Sequence, residues 1–323
     1  MYKKLKQAIK IGTRDSQLAV WQAELVQSLL AKNGIASELI HIKSKGDVDT
    51  VTPLYELGVQ GIFTKSLDAA LLDKRIDIAV HSLKDVPTNL ADGIRQAAVL
   101  KRASYKDILV FKDDRKLIEE GLNSPSTIHH SLLPTLTIAT SSTRRKAQWL
   151  HRYPNHVIEN LRGNVNTRLR KINENNWNGA IFAAAGLERI GLRPENSIDL
   201  DWMLPAPAQG AITIVCRSDD KFSFDVSHEL NDRDTQLCTK MERDFLRGLL
   251  GGCSTPISAL AVIKNEKIIF KGNICSVDGK QKIEIEKGVK IENSDNLGTV
   301  VANELLKNEE AQQIIYSIRN AKK

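Results

Sequence analysis

The strongest constraint on how this chain can fold is a repeated alternation of short apolar runs with helical patterns across residues 7–218. Ala8 to Ile11 is a run of strand length, after which Leu18, Trp21, Leu25 and Leu29 recur at helical spacing until Gly34. Leu39 to Ile42 gives a second strand. Residues 63–75 give a helix with Leu67, Ala70 and Leu71 on one face, and Ile76 to Val80 a third strand. Strands separated by helices are not joined by tight hairpins, so this order predicts a mostly parallel sheet with helices on both faces. The alternation restarts at Ile108 to Phe111 and, beyond a polar irregular stretch over 112–135, continues with strands at Leu136 to Ala139, Val157 to Asn160 and Ala180 to Ala183. Helices are expected between them, at 144–152 and 165–172, making a second α/β domain. One more strand, Ala211 to Val215, follows the Pro-rich crossing Leu204-Pro205-Ala206-Pro207, with a return to the first domain left open.

From about residue 220 the pattern changes to a long helix over 235–250, alternating strands at 257–263, 268–274 and 282–285, and closing helices at 294–307 and 309–318. This reads as a small α+β domain. A length of 323 residues exceeds one ordinary core, in keeping with two or three domains. The N-terminal segment has lysines but no apolar core of signal-peptide type, and no run is long enough to span a bilayer, so a cytoplasmic location without membrane attachment is expected. The four cysteines form no C-x-x-C pair and stand at no metal-ligand spacing, so free thiols and no metal are expected.

The net charge of +7 is spread in single and paired basic residues at the ends of apolar runs. That favours discrete anion pockets over a nucleic-acid stripe. Two places share a design. The first strand runs into Gly12-Thr13-Arg14-Asp15-Ser16, and Leu136 to Ala139 runs into Thr140-Ser141-Ser142-Thr143-Arg144-Arg145; each opens a helix. Free helix N-terminal amides and arginine suit a carboxylate or phosphate there. Plain N-capping by Asp15, Ser16 or Ser142 beside solvated arginines is the alternative. Arg162, Arg168 and Arg189 follow later strands, where surface ion pairing would also explain them singly; together the arginines suggest a cleft between domains for a polycarboxylate. Catalytic nucleotide motifs are missing.

The third strand ends in His81-Ser82-Leu83-Lys84-Asp85-Val86-Pro87. Asp85, in a turn stiffened by Pro87, can stabilise a developing cation or exchange protons with an amine, or it can simply cap the turn. His81 reads as a packed residue. The 235–250 helix ends in Gly251-Gly252-Cys253-Ser254-Thr255-Pro256, which displays Cys253 on a tight loop. Composition alone would make that cysteine an ordinary small core residue.

Taken in order, these segments resemble the porphobilinogen deaminase (hydroxymethylbilane synthase) family from about residue 9 to 260. The similarity rests on TRDSQLA with Trp21-Gln22-Ala23, GIFTK at 61–65, HSLKDVP at 81–87, TSS with Arg144-Arg145, LRGNV at 161–165 with Thr167-Arg168-Leu169, AAGL with Arg189, Gln209-Gly210-Ala211 and Gly251-Gly252-Cys253. The last sixty residues match weakly. The resemblance implies three domains: 1–103 plus 202–218, 104–201, and 219–323. The first two are like the lobes of periplasmic binding proteins, and the third carries a dipyrromethane cofactor thioether-linked to Cys253. It implies a transferase of haem and porphyrin biosynthesis that condenses four porphobilinogen molecules, releasing ammonia each time, into the linear tetrapyrrole hydroxymethylbilane. A monomer is implied, with the product passed to uroporphyrinogen III synthase. Asp85 and Lys84 match catalytic positions. Arg14, Ser16, Ser82, Lys84, Thr140, Ser142, Arg144, Arg145, Arg162, Arg168, Arg189 and Gln209 match cofactor positions; Arg14, Gln22, Phe63, Arg162, Arg168 and Arg189 match substrate positions. Three departures stand out: Gln60 for a usual lysine and Ser66 for glutamate, both expected in a loop over the cleft, and Thr143 for leucine. His129-His130 has no role in the family pattern. The rival readings are a two-lobed anion-binding module with Cys253 incidental, and an inactive enzyme on the same scaffold, which intact Lys84-Asp85 and Cys253 oppose.

Overall fold

The computed structural model describes residues 8–43, 64–112, 115–122, 135–249, 252 and 255–320. These fall into two compact units, one built from 8–43, 64–103 and 210–237, the other from 104–209 and 238 onward.

In the first unit, β1 (Ile9–Thr13), α1 (Gln17–Lys32), β2 (Ser37–His41), α2 (Lys65–Leu72), β3 (Ile78–Ser82) and β4 (Ile94–Val99) are joined by β10 (Ile212–Arg217). The sheet order is β2-β1-β3-β10-β4. β1 runs parallel to β2 and β3, whereas β10 is antiparallel to β3 and β4. The expected mostly parallel sheet is therefore mixed. β10 does return to this sheet, in the opposite direction, and β4 was not expected at all because Arg95 and Gln96 interrupt its apolar run. Arg95 is accommodated by stacking over the Phe224 ring, 3.9 Å from its centroid. On one face Ala23, Val26 and Leu30 of α1 bury against Ile11, Ile78 and Ile214. On the other, Leu67, Ala70 and Leu71 of α2 bury against Ile76, Ala79 and Val215. That apolar face starts the helix at Lys65, so Ser66 stands in α2 and not in a loop. Helix α7 (Lys221–His228) lays Phe222, Phe224 and Val226 on the first unit's core, which is why 210–237 groups with this unit.

The second unit repeats the plan. It contains β5 (Asp107–Phe111), α3 (Arg115–Leu122), β6 (Thr137–Ala139), α4 (Thr143–Arg152), β7 (Val157–Glu159), α5 (Val165–Glu174), β8 (Gly179–Ala183), α6 (Ala184–Glu188) and β9 (Ser197–Asp199). The order is β7-β6-β8-β5-β9, with β6 parallel to β7 and β8, and β5 antiparallel to β8 and β9. The stretch expected to be irregular thus contains α3, whose Ile118 reaches the core. Helix α8 (Arg233–Gly248) leads to an antiparallel meander of β11 (Ile257–Lys264), β12 (Lys267–Cys275) and β13 (Lys282–Lys290), closed by α9 (Leu297–Leu305) and α10 (Glu309–Asn320). Asn265 and Glu266, with φ of 48° and 60°, make the two-residue turn whose twist matches paired strands. Phe245 of α8 meets Phe270 edge-on at 5.3 Å. Gln148 of α4 ties the meander to the α/β layer: its amide nitrogen donates to Leu204 O and Ser258 Oγ, both at 2.9 Å. Buried Glu242 accepts from the amides of Ala208 and Ala261 at 2.6 and 2.8 Å.

Trp149 is fully buried, and its indole N–H donates to His156 Nδ1 at 3.1 Å. That bond needs a neutral imidazole, and burial draws the His156 pKa down to about 4. An unfolded histidine titrates near 6.5, so the unfolded chain binds more protons below that pH. The contribution is complete above about pH 6.5 and is lost as pH falls towards 4. Urea unfolding at pH 7 and pH 5 should show wild type losing more stability than His156→Gln, in which no proton is taken up at this position. Equal losses would remove His156 from the account.

Candidate functional site

In each unit the three parallel strands end on one edge of the sheet, where loops and helix N-termini gather, as ligand sites of open α/β sheets require. At the edge of the first unit, β1 delivers buried Thr13 and then half-exposed Arg14. Ser16 takes the extended backbone of an N-cap on α1, but its hydroxyl does not bond the helix's own amides. β2 ends at His41, whose Nδ1 lies 3.0 Å from Asp15 Oδ1. β3 ends at Ser82, whose Oγ accepts from buried Gln22 Nε2 at 2.8 Å. A 3-10 turn, Leu83–Asp85, follows. Leu83 and Val86 are buried, Leu83 N donates to Ala211 O at 3.0 Å, and Val86 N donates to Leu83 O at 3.2 Å. The turn is anchored on both sides, and Asp85 projects into solvent with Lys84 half-buried beside it. The HSLKDVP pattern explains this locally: alternate apolar residues sink into the core and the polar pair between them is displayed.

The edge of the second unit carries Thr140 after β6, Arg162 after β7 and Arg189 after α6, which continues from β8. Thr140 Oγ1 accepts from Ser142 N at 3.2 Å, and Ser142 Oγ accepts from Arg145 N at 3.4 Å, so Ser142 caps α4. Gly163 has φ of 113°, a region disfavoured for side chains, and a Cβ there would stand 2.6 Å from Thr167 Cγ2. Arg168 Nε donates to Gly163 O at 2.7 Å, pinning the LRGN turn to α5. Burial lowers the Arg189 pKa to about 10 against the opposing pull of Glu188, so it stays cationic at neutral pH.

Arg144 and Arg145 have a different position from that of open clamps. Both are buried on Asp107: Arg144 Nη1 reaches Oδ2 at 2.7 Å, and Arg145 Nε and Nη2 reach Oδ1 at 3.0 and 2.7 Å. Gln209 Nε2 also donates to Asp107 Oδ1, at 3.0 Å. Burial alone would raise the Asp107 carboxyl. The two guanidiniums and the bonds from Arg144 and Gln209 outweigh it and hold the group well below the usual carboxylate range. Two cations on one anion leave a net positive charge under the N-terminus of α4. Asp107→Ala would strand two buried guanidiniums, and chemical denaturation should show a loss of about 3–5 kcal/mol; a loss under 1 kcal/mol would mean that water replaces the carboxylate. Sequence reading missed Asp107. Its one signal is an acidic residue opening an otherwise apolar strand.

Phe63, Cys253, Gln60 and His129-His130 lie outside the described residues. The three described cysteines, Cys216, Cys238 and Cys275, are buried and form no disulfide with one another, and burial pushes the Cys275 thiol up to about 12. Among the described residues no cluster of histidine, cysteine or carboxylate could hold a metal ion, and no helix is long and apolar enough to cross a membrane.

A pair of α/β sheets whose strand ends collect arginine, lysine, hydroxyls and a displayed aspartate defines a protein that acts on anionic small molecules. Family models narrow this. Residues 9–224 match the porphobilinogen deaminase dipyrromethane cofactor binding domain, and 236–307 match the porphobilinogen deaminase C-terminal domain. A porphobilinogen deaminase of Acidithiobacillus ferrooxidans is 40% identical over 97% of this chain and 99% of its own length, and one of Desulforamulus reducens is 38% identical over 94% and 95%. Among solved structures, the methionine binding protein MetQ aligns at 16% identity and a TM-score of 0.42 over 71% of this chain and 91% of its own. The chain belongs to the porphobilinogen deaminase family. It is an enzyme of tetrapyrrole biosynthesis that polymerises porphobilinogen stepwise into hydroxymethylbilane on a dipyrromethane cofactor.

Proposed function

We propose that Asp85 is the group that makes each condensation possible, that Cys253 carries the cofactor through a thioether, and that the strand-end cations bind the carboxylates of the growing chain. The observation that carries this reading is the anchored Leu83–Asp85 turn, which presents a carboxylate at the edge where Arg14 and Ser16 also emerge. The donor set suits the cofactor: a dipyrromethane bears acetate and propionate groups, and Arg14, Lys84, Arg162, Arg168 and Arg189 supply cations with Ser16, Ser82 and Thr140 as hydroxyl donors. When bound, the group supplies a free pyrrole position on which the first substrate unit can be added.

Asp85 then acts on the substrate. As the amino group of the substrate's aminomethyl arm leaves as ammonia, the C–N bond breaks and positive charge develops on the methylene-bearing pyrrole, and an ionised carboxylate beside it lowers the barrier. The same carboxylate can take or return a proton at the pyrrole nitrogen or the departing amine. Lys84, half-buried in the same turn, adds a cation at this edge for the carboxylates of the substrate. Gln22 holds the Ser82 hydroxyl, and with it the start of the turn. Arg144, Arg145 and Gln209 contribute through the Asp107 cluster and its net charge.

We propose the three-domain division 1–103 plus 202–218, 104–201 and 219–323, whose inner bounds differ from the packing, in which 210–237 groups with the first unit and 202–209 with the second; Phe63 is proposed to border the substrate. We further propose a cytoplasmic monomer that passes its product to uroporphyrinogen III synthase. Three buried cysteines that form no disulfide with one another suit a reducing compartment. The decisive experiment is the intact mass of the wild-type chain and of Cys253→Ser.

A further inference from the structure

Directly after the Lys84-Asp85 pair, Val86 and Pro87 form one wall of a small pocket inside the first unit. Thr64 and Asp68, from the start of α2, form another, with Asn89, Leu90, Ala91 and Val215 completing it. His81, the penultimate residue of β3, lines it too. The cavity measures about 10 Å³, the space that a single water molecule needs. His81 is 7% exposed, and its Nε2 is buried without a hydrogen-bond partner. Burial first, and the charge of Arg14 second, draw the His81 pKa down to about 3, so the ring is neutral near pH 7. A buried, unsatisfied ring nitrogen carries a desolvation cost that a hydrogen-bonded guest would recover. Asp68, also on the lining, accepts a bond from the Thr64 side chain, while burial raises its carboxyl above the usual range. That carboxyl has lone pairs to spare for a guest. A polar lining around one water volume is the setting in which buried water is retained.

We propose that this pocket is a binding site for one water-sized hydrogen-bonding molecule, water or ammonia, held on His81 Nε2 with Asp68 and Asn89 as its other partners, and that through it His81 positions the Lys84-Asp85 turn. The second half of this rests on the role given to Asp85 above. Water comes from solvent. Ammonia has the same size and hydrogen-bonding habit, and each condensation releases one molecule of it. The guest joins α2 to the residues that follow Asp85. His81 is thus a positioning residue: it touches no reacting atom, and it acts by fixing where the carboxylate stands.

A high-resolution crystal structure of the holoenzyme in ammonium-free buffer should show an ordered peak within hydrogen-bonding reach of His81 Nε2; this is the water arm. Proton–nitrogen correlation spectra recorded with nitrogen-15 ammonium should show a slowly exchanging bound species if ammonia occupies the same place. Either occupant supports the site. An empty pocket, or a ring turned so that Nε2 bonds to the protein itself, overturns it. His81→Phe, which fills the pocket and removes the acceptor, should lower kcat on the order of tenfold by misplacing the turn. KM for porphobilinogen should stay within about twofold. His81→Gln, which keeps a polar atom, should recover most of that loss. A drop in thermal stability with kcat unchanged overturns the positioning role. Should His81→Phe fail to fold, Asp68→Leu probes the same guest from the other wall, with the same expected kcat loss. Each variant should still carry the cofactor by intact mass, so failure here is distinct from failure of the functional assignment.

Discussion

Intact-mass spectrometry of the wild-type chain, purified from a haem-making bacterium, is expected to show an increment of two condensed pyrrole units, and Cys253→Ser to show none. Turnover of the serine variant should fall to background. A thioether requires a thiolate attacking, or an exposed thiol capturing, an electrophilic methylene. Cys216, Cys238 and Cys275 are all buried, burial raises the Cys216 thiol, and Cys275 is pushed up to about 12. Burial withholds all three from a substrate in solvent, which counts against each as the attachment point. Cys253 follows two glycines after α8 in a sequence suited to displaying a side chain. Cys216→Ser and Cys275→Ser should therefore keep the full increment, whatever they do to stability. A wild-type chain that stays unmodified after incubation with porphobilinogen would sink the covalent assignment, as would an adduct that survives in Cys253→Ser.

How much of this was readable in the sequence depends on what kind of signal each element leaves. α1 declared itself because Leu18, Trp21, Leu25 and Leu29 keep helical spacing over about three turns, and β3 because a largely apolar run, broken only by Asp77, ends in a polar turn. β9 has three residues and no pattern, so only its pairing with β5 makes it a strand. α7 is the instructive omission. In Lys221–His228 the apolar residues Phe222, Phe224 and Val226 alternate with period two, which argues against a helix. Asp220 decides otherwise, accepting from Ser223 N at 3.0 Å and capping the helix, whose aromatic residues find the first unit's core. The strand-end positions of Arg14, Lys84, Asp85, Thr140, Arg162 and Arg189 were legible, since each follows a recognisable run. What Arg144 and Arg145 hold was not. A pair of arginines at a helix start looks the same whether its anion is a ligand or a carboxylate of the protein. Asp107 stands 37 and 38 positions earlier in the chain, a separation that no local pattern reports.

Asp85→Asn is expected to lower kcat by about 10²–10⁴-fold, the range in which a positioned proton-transfer and charge-stabilising group contributes. The substitution preserves shape, and Asp85 is exposed while its neighbours Leu83 and Val86 hold the turn, so the fold should be intact with thermal stability within about 0.5 kcal/mol of wild type. Asp85→Glu keeps the charge but lengthens the reach, and should lose less activity than Asp85→Asn. That ordering separates the two jobs given to the carboxylate. If charge is what the developing cation needs, glutamate rescues much of the rate; if proton transfer to a fixed atom dominates, the extra methylene misplaces the oxygen and glutamate is nearly as poor as asparagine. Ammonia release in a single turnover measures the step directly, because it reports departure of the amine before later additions or product release intervene. A normal burst of ammonia from Asp85→Asn would move the chemistry away from this turn. With Lys84 beside it and the arginines on other strands assigned to holding carboxylates, no other anion among the described residues of the first unit's edge combines that exposure with so firm an anchor; Asp15 is paired to His41.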